Sequence, residues 1–188
     1  MPLVSDLALR ADPSIWSRVP DTIADADAWI AARLEGVPAD SAQRVEDAAR
    51  LALYARLGSE LSVALLLSVP ASGIFGMLGV LGLGDAPAPS TAAGAKEIAE
   101  ALVPSPWGAE LATVSWGVVR GWRATVLDPV VGDDSVVVAQ TISTVYVLDL
   151  EGRCVVAALT PLVPLAAAAA HVLAERVLST LSLSGAAA

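Results

Sequence analysis

SVVVAQTISTVYVLDL, residues 135–150, is dense in β-branched and aromatic side chains, the composition that suits an extended, half-buried strand. Glu151 and Gly152 supply a tight turn, and RCVVAALT at 153–160 returns as a second strand. Pro161 should end that strand, since proline brings no N–H to a ladder. Pro164 suits the first turn of a helix, where a missing N–H costs nothing. Over 165–183 a long helix is expected, with Ala166, Ala170, Leu173, Val177 and Leu181 on one face. His171, Glu175, Ser179 and Ser182 then fall on the other, wet face.

Working outward, ELATVSW at 110–116 and VVRGWRATVL at 118–127 read as two strands turning at Gly117, and VVGDD at 130–134 turns into the long strand. Short turns between neighbours imply a four-stranded antiparallel meander. Towards the N-terminus, residues 1–20 read as an irregular lead-in broken by Pro13 and Pro20, with Trp16 as an anchor onto the core. Thr22 can cap a first helix that buries Ile23, Ala26, Ile30 and Leu34. A second should start at Asp40 or Ser41 and reach Leu57, with Val45, Ala49, Ala52, Leu53 and Leu57 inward. DAPAPS at 85–90 reads as an internal linker, after which Ser90 or Thr91 caps a third helix closed by Pro104. The expected fold is a single α+β domain over 1–188, an antiparallel meander sheet packed by N-terminal helices and a long C-terminal helix.

One stretch reads in two ways. LSVALLLSVPASGIFGMLGVLGLG at 61–84 carries no charge and is long enough to span a bilayer. Its glycines at 73, 76, 79 and 82 recur every third position, which could form a helix–helix contact in lipid but makes a poor helix in water. The soluble reading cuts it at Pro70 into a buried strand over 61–69 and a glycine-rich segment that pairs loosely or loops back. No aromatic belt or charge asymmetry brackets the run, which favours the soluble reading.

The chain has 188 residues, 55% hydrophobic and 16% charged, with a net charge of −9; its mean hydropathy is +0.65 and its pI near 4.4. A length of this order supports one sizeable core. The acidic balance argues against nucleic acid, whose phosphates require clustered Lys and Arg, and against anionic membrane surfaces. Cys154 is the sole cysteine, so no internal disulfide or Cys-based metal site forms, and a reducing, cytoplasmic compartment is expected. Residues 1–14 lack the basic start and apolar run of a secretory signal.

Constellations for chemistry are sparse. His171 is the only histidine, which excludes an HExxH zinc site. It could act as a base with Glu175 one turn away, although an exposed helix pair is the plainer reading. No serine stands in a GxSxG elbow, and the glycines at 76–84 match neither the dinucleotide nor the P-loop pattern. Asp133 and Asp134 are too few for a hard-metal site and are ordinary turn residues. No catalytic residue, metal or cofactor is expected. The residues best suited to contact a partner are Trp116, Arg120, Trp122 and Arg123, because Trp and Arg dominate interaction hot spots. By strand alternation Arg120 and Trp122 share a face and Arg123 points the opposite way. The competing reading is that the tryptophans fill a core whose only phenylalanine is Phe75.

From Trp107 onward, the strand QTISTVYVLDL, a short turn, an apolar strand ending Thr160-Pro161 and a last helix ending VLSTLSL resemble the PsbP/Mog1/LpqN-type αβα sandwich. They are also similar to the closing segments of proteins from high-GC Gram-positive bacteria. The resemblance implies an antiparallel sheet between helices and a family that mostly offers binding surfaces to larger assemblies; it transfers no catalytic residue. The function expected is therefore a non-catalytic module that binds a protein partner. Membrane association through 61–84 is the alternative, and a small hydrolase-type enzyme a third reading.

Overall fold

The computed structural model describes residues 7–131 and 137–183. Two short strands lead in, β1 (Leu7–Ala8) and β2 (Trp16–Arg18), followed by helices α1 (Ala26–Leu34) and α2 (Ala39–Leu57). A hairpin of β3 (Val63–Val69) and β4 (Ile74–Pro87) precedes α3 (Ala92–Leu102). Four strands then run in sequence: β5 (Ala109–Trp116), β6 (Val119–Val131), β7 (Val137–Leu150) and β8 (Arg153–Leu162). Helix α4 (Pro164–Leu178) and the short β9 (Ser182–Leu183) close the chain. The fold is α+β. One seven-stranded antiparallel sheet has the order β2-β3-β4-β8-β7-β6-β5, and β1 pairs with β9 beside it.

The expected meander β5 to β8 is present, and antiparallel pairing of β4 with β8 joins it to the N-terminal strands. Side chains of one strand alternate between two faces, and the core divides accordingly. On one face Leu65, Leu78, Tyr146, Leu148, Val155 and Ala157 pack under Ala167, Ala170, Ala174 and Val177 of α4. On the other, Ala64 and Leu66 meet α1 and α2, while Val145, Val147, Cys154 and Val156 meet Ala95 and Ala99 of α3. Helices thus cover both faces. Helix α3 begins where expected: the Thr91 hydroxyl caps it by accepting from the Gly94 N–H at 3.2 Å.

Several expectations are corrected. Among residues 7–20 the lead-in is irregular except for β1 and β2, and Trp16 anchors it, sitting opposite Leu67 as part of edge strand β2 and only 4% exposed. Ile23 belongs to a short 3-10 turn ahead of α1 and is exposed, so it takes no part in the core. The glycine-rich segment does not pair loosely: β4 holds register with β3 from Ile74 to Val80 and with β8 from Leu78 to Gly82. Its stretch 78–80 is buried between the two neighbouring strands, where a charge would be poorly solvated. The linker begins later than expected, since β4 continues to Pro87. Strand β8 likewise passes through Pro161 to Leu162. A register shift against Ile142 and Thr144 accommodates the missing N–H there. The start of the long strand at 135–136 and the Asp133-Asp134 turn lie outside the described residues. Among the described residues no helix is long and apolar enough to cross a membrane.

Candidate functional site

Strand alternation distributes the four expected contact residues as the sequence implies. Trp122 is half-buried against the α3 cluster. Arg120, on the same face, is exposed and stands opposite Ser115 and Asp149. Arg123 and Trp116 belong to the opposite face, where Arg123 stands opposite Tyr146 and the Trp116 ring lies 6.4 Å from that of Tyr146, tilted by 53°. The structure therefore gathers these residues into two pairs on two faces.

The Arg123 side of the sheet carries a polar cluster. Arg123 Nη1 donates to Glu175 Oε1 of α4 at 2.6 Å, and one turn earlier His171 Nε2 meets the Thr144 hydroxyl at 2.6 Å. His171 and Glu175 are thus not on a wet face; both are half-buried against the sheet. Burial, then the nearby Arg123 charge, hold the His171 imidazole below its ordinary pKa, opposed by Glu175. Tyr146 is fully buried and its hydroxyl has no hydrogen-bond partner among the described residues. Burial and Glu175 push its pKa up, against Arg123. A hydroxyl bonded to a histidine is the start of a nucleophile–base pair. Here, however, Thr144 is 1% exposed within the sheet, and the carboxylate that could orient the imidazole is bonded to Arg123 instead.

Cys154 is also buried, and burial followed by the Asp149 charge raises its thiol pKa, leaving it a poor nucleophile. No group of three His, Cys, Asp or Glu among the described residues could hold a metal ion.

The opposite face contains a cleft. Helix α2 lies over β3 and β4, and α3 over β5 to β7, so the β4–β8 seam runs between them. At one end is a cavity of about 420 Å³. Ala48, Leu51 and Ala55 of α2 form one wall, Phe75 and Met77 of β4 the floor, and Thr160 and Pro161 the end of β8; Arg44 and Asp47 are the charged groups in its lining. Further along the same two strands, beyond Met77 and Thr160, lies a second cavity of about 290 Å³. It is apolar throughout and reaches Ile98 and Leu102 of α3. The alanines of α2 are what make the room, because larger side chains at 48 or 55 would close it.

Arg44 is held in place. Its guanidinium carbon stands 5.9 Å from the Phe75 ring centroid, and its Nη2 donates to the Ser41 hydroxyl at 3.2 Å. Its Nη1 lies 3.4 Å from where a Cβ at Gly73 would stand. No carboxylate among the described residues forms an ion pair with it, whereas Asp47 accepts from Gln43 Nε2 at 2.8 Å. The Thr160 hydroxyl accepts from the Met77 N–H at 3.0 Å, which leaves its own hydrogen free to donate.

None of these cleft residues stands out in the sequence by a motif. The usable signal is on α2, where Ala48, Leu51 and Ala55 add a second apolar stripe beside the core stripe, wider than burial against one sheet requires. No protein-family model matches the chain, and comparison with curated proteins and with solved structures likewise finds no match.

Proposed function

We propose that this protein is a non-catalytic binding module and that it binds in the cleft between α2 and the β4–β8 seam. The observation that carries this reading is the chemistry of the cleft wall. It is a concave apolar surface of ligand-binding size, with Arg44, Asp47 and Thr160 as its polar side chains and no activated nucleophile or histidine in it. The groups that resemble catalytic partners, Thr144 and His171, are bonded to each other inside the opposite layer. The resemblance to PsbP/Mog1/LpqN-type sandwiches and a cytoplasmic location are kept as part of this proposal.

The test is titration with a neutral solvatochromic dye such as Nile red. Saturable fluorescence enhancement that disappears in Ala48→Trp, with the thermal unfolding midpoint retained, supports the reading. The absence of saturable binding to the native protein overturns it.

A partner protein covering the same region is the second reading, favoured by Leu51 at the cleft rim and Tyr54 on the same helix, which are 70% and 82% exposed. In affinity capture, loss of a partner in Leu51→Asp with Tyr54→Asp places it over the cleft. Loss only in Arg120→Ala with Trp122→Ala places it on the meander instead.

A further inference from the structure

The chemistry of the cleft also specifies its ligand. Resting on the binding reading above, we infer that the cleft takes an amphiphile with a hydrocarbon body and a single carboxylate, the carboxylate meeting Arg44 and the body lying along β4.

The anionic end follows from Arg44. A guanidinium presents paired donors that match a carboxylate, and this one is oriented before any ligand arrives by the Phe75 ring and the Ser41 hydroxyl. Fixed donors lose little freedom on binding. Its charge is unmatched by any carboxylate within ion-pair reach among the described residues. The Thr160 hydroxyl lines the same cavity with a proton to donate.

A single negative charge is favoured over a phosphate dianion. Arg44 is the only cationic side chain in the lining, Asp47 lies in it too, and the whole chain carries −9. The apolar body follows from Leu51, Phe75 and Met77 in the lining of the same cavity. Over Gly79 the Leu61 side chain closes the strand, within 2.9 Å of where a Cβ would stand, so the body ends short of the second cavity.

The test compares decanoate, decan-1-ol and decyltrimethylammonium by isothermal titration calorimetry below their micelle concentrations. Decanoate should bind about tenfold or more tighter than the alcohol, the worth of one charge-assisted hydrogen-bonded contact, and the ammonium should bind weakest. Arg44→Gln, at an exposed position, should reduce decanoate to the level of the alcohol and leave the alcohol unchanged. Leu51→Asp should weaken decanoate and alcohol together. Equal binding of acid and alcohol, or an Arg44→Gln variant that binds decanoate like the native protein, overturns the inference while the cleft remains a binding site. No binding of any of the three, where Nile red still binds saturably, also overturns it. Failure of Nile red as well removes the binding reading itself.

Discussion

Arg123 and Glu175 meet at 2.6 Å across the gap between β6 and α4, each about three-quarters buried. The pair ties the last helix to β6. Removing one partner leaves the other charge poorly solvated. Glu175→Gln should therefore lower stability by about 2 kcal/mol, read as a shift in the urea midpoint. A double-mutant cycle with Arg123→Gln should show non-additivity, and strict additivity would mean that the pair contributes no coupling.

Tyr146 offers the opposite result. Its hydroxyl is buried beside that ion pair and, among the described residues, makes no hydrogen bond of good geometry, Arg123 being the one donor near it, so removing it relieves a desolvation cost. Tyr146→Phe should be neutral or stabilising by up to about 1 kcal/mol, whereas a loss of more than this would reveal a bond to the hydroxyl. With its pKa raised, Tyr146 stays protonated in the folded protein while the unfolded chain ionises near 10. Stability then falls as the pH rises above that value. Ultraviolet titration of the native protein should show the Tyr146 phenol still un-ionised above pH 10.

His171 sets a dependence at the acid side. Its folded pKa lies below the ordinary value of 6.5, so on acidification the unfolded chain takes up the proton first. Its contribution is complete above pH 6.5 and is lost as the pH falls below it towards the folded pKa. Since it is the only histidine, the stability difference between native protein and His171→Gln should shrink over that interval. A difference that stays constant from pH 7.5 to 5 would show that the imidazole titrates alike in both states.

Gly121 is the backbone position with least tolerance. Its φ is +152° and a Cβ there would lie 2.1 Å from the Val147 carbonyl oxygen, which belongs to the backbone of the neighbouring strand. Gly121→Ala should cost about 3 kcal/mol or more, measured by denaturant unfolding. A loss below 1 kcal/mol would mean that β6 can slide outward without harm.

The C-terminal strands and their turn are legible because β-branched runs such as Val145 to Val147 alternate between two buried faces and Gly152 marks the reversal. Strand β4 is not legible in this way. Glycines at intervals of three obscure the two-residue alternation, which leaves only Leu78 and Val80 against Met77 and Leu81 to show it. The phase of α4 is hidden for a different reason. Five consecutive alanines, Ala166 to Ala170, fit either side of a helix, and the true rotation turns Ala167, Ala170 and Ala174 inward while Leu165 and Val172 point out. That rotation is what carries His171 and Glu175 onto the sheet. Beyond the second apolar stripe on α2, the cleft is not legible in any one element, because it is a space left between α2 and α3, fixed by where each lands on the sheet.

The pairing of β4 with β8 has a consequence during synthesis. The β3–β4 hairpin is finished long before Arg153 leaves the ribosome, and at about 5–20 residues per second the wait is of the order of several seconds. Through that interval one whole ladder edge and the greasy side chains of Leu78 and Val80 have no lid. Nascent chains of this protein should accordingly depend on a holding chaperone until the eighth strand arrives to seal the seam.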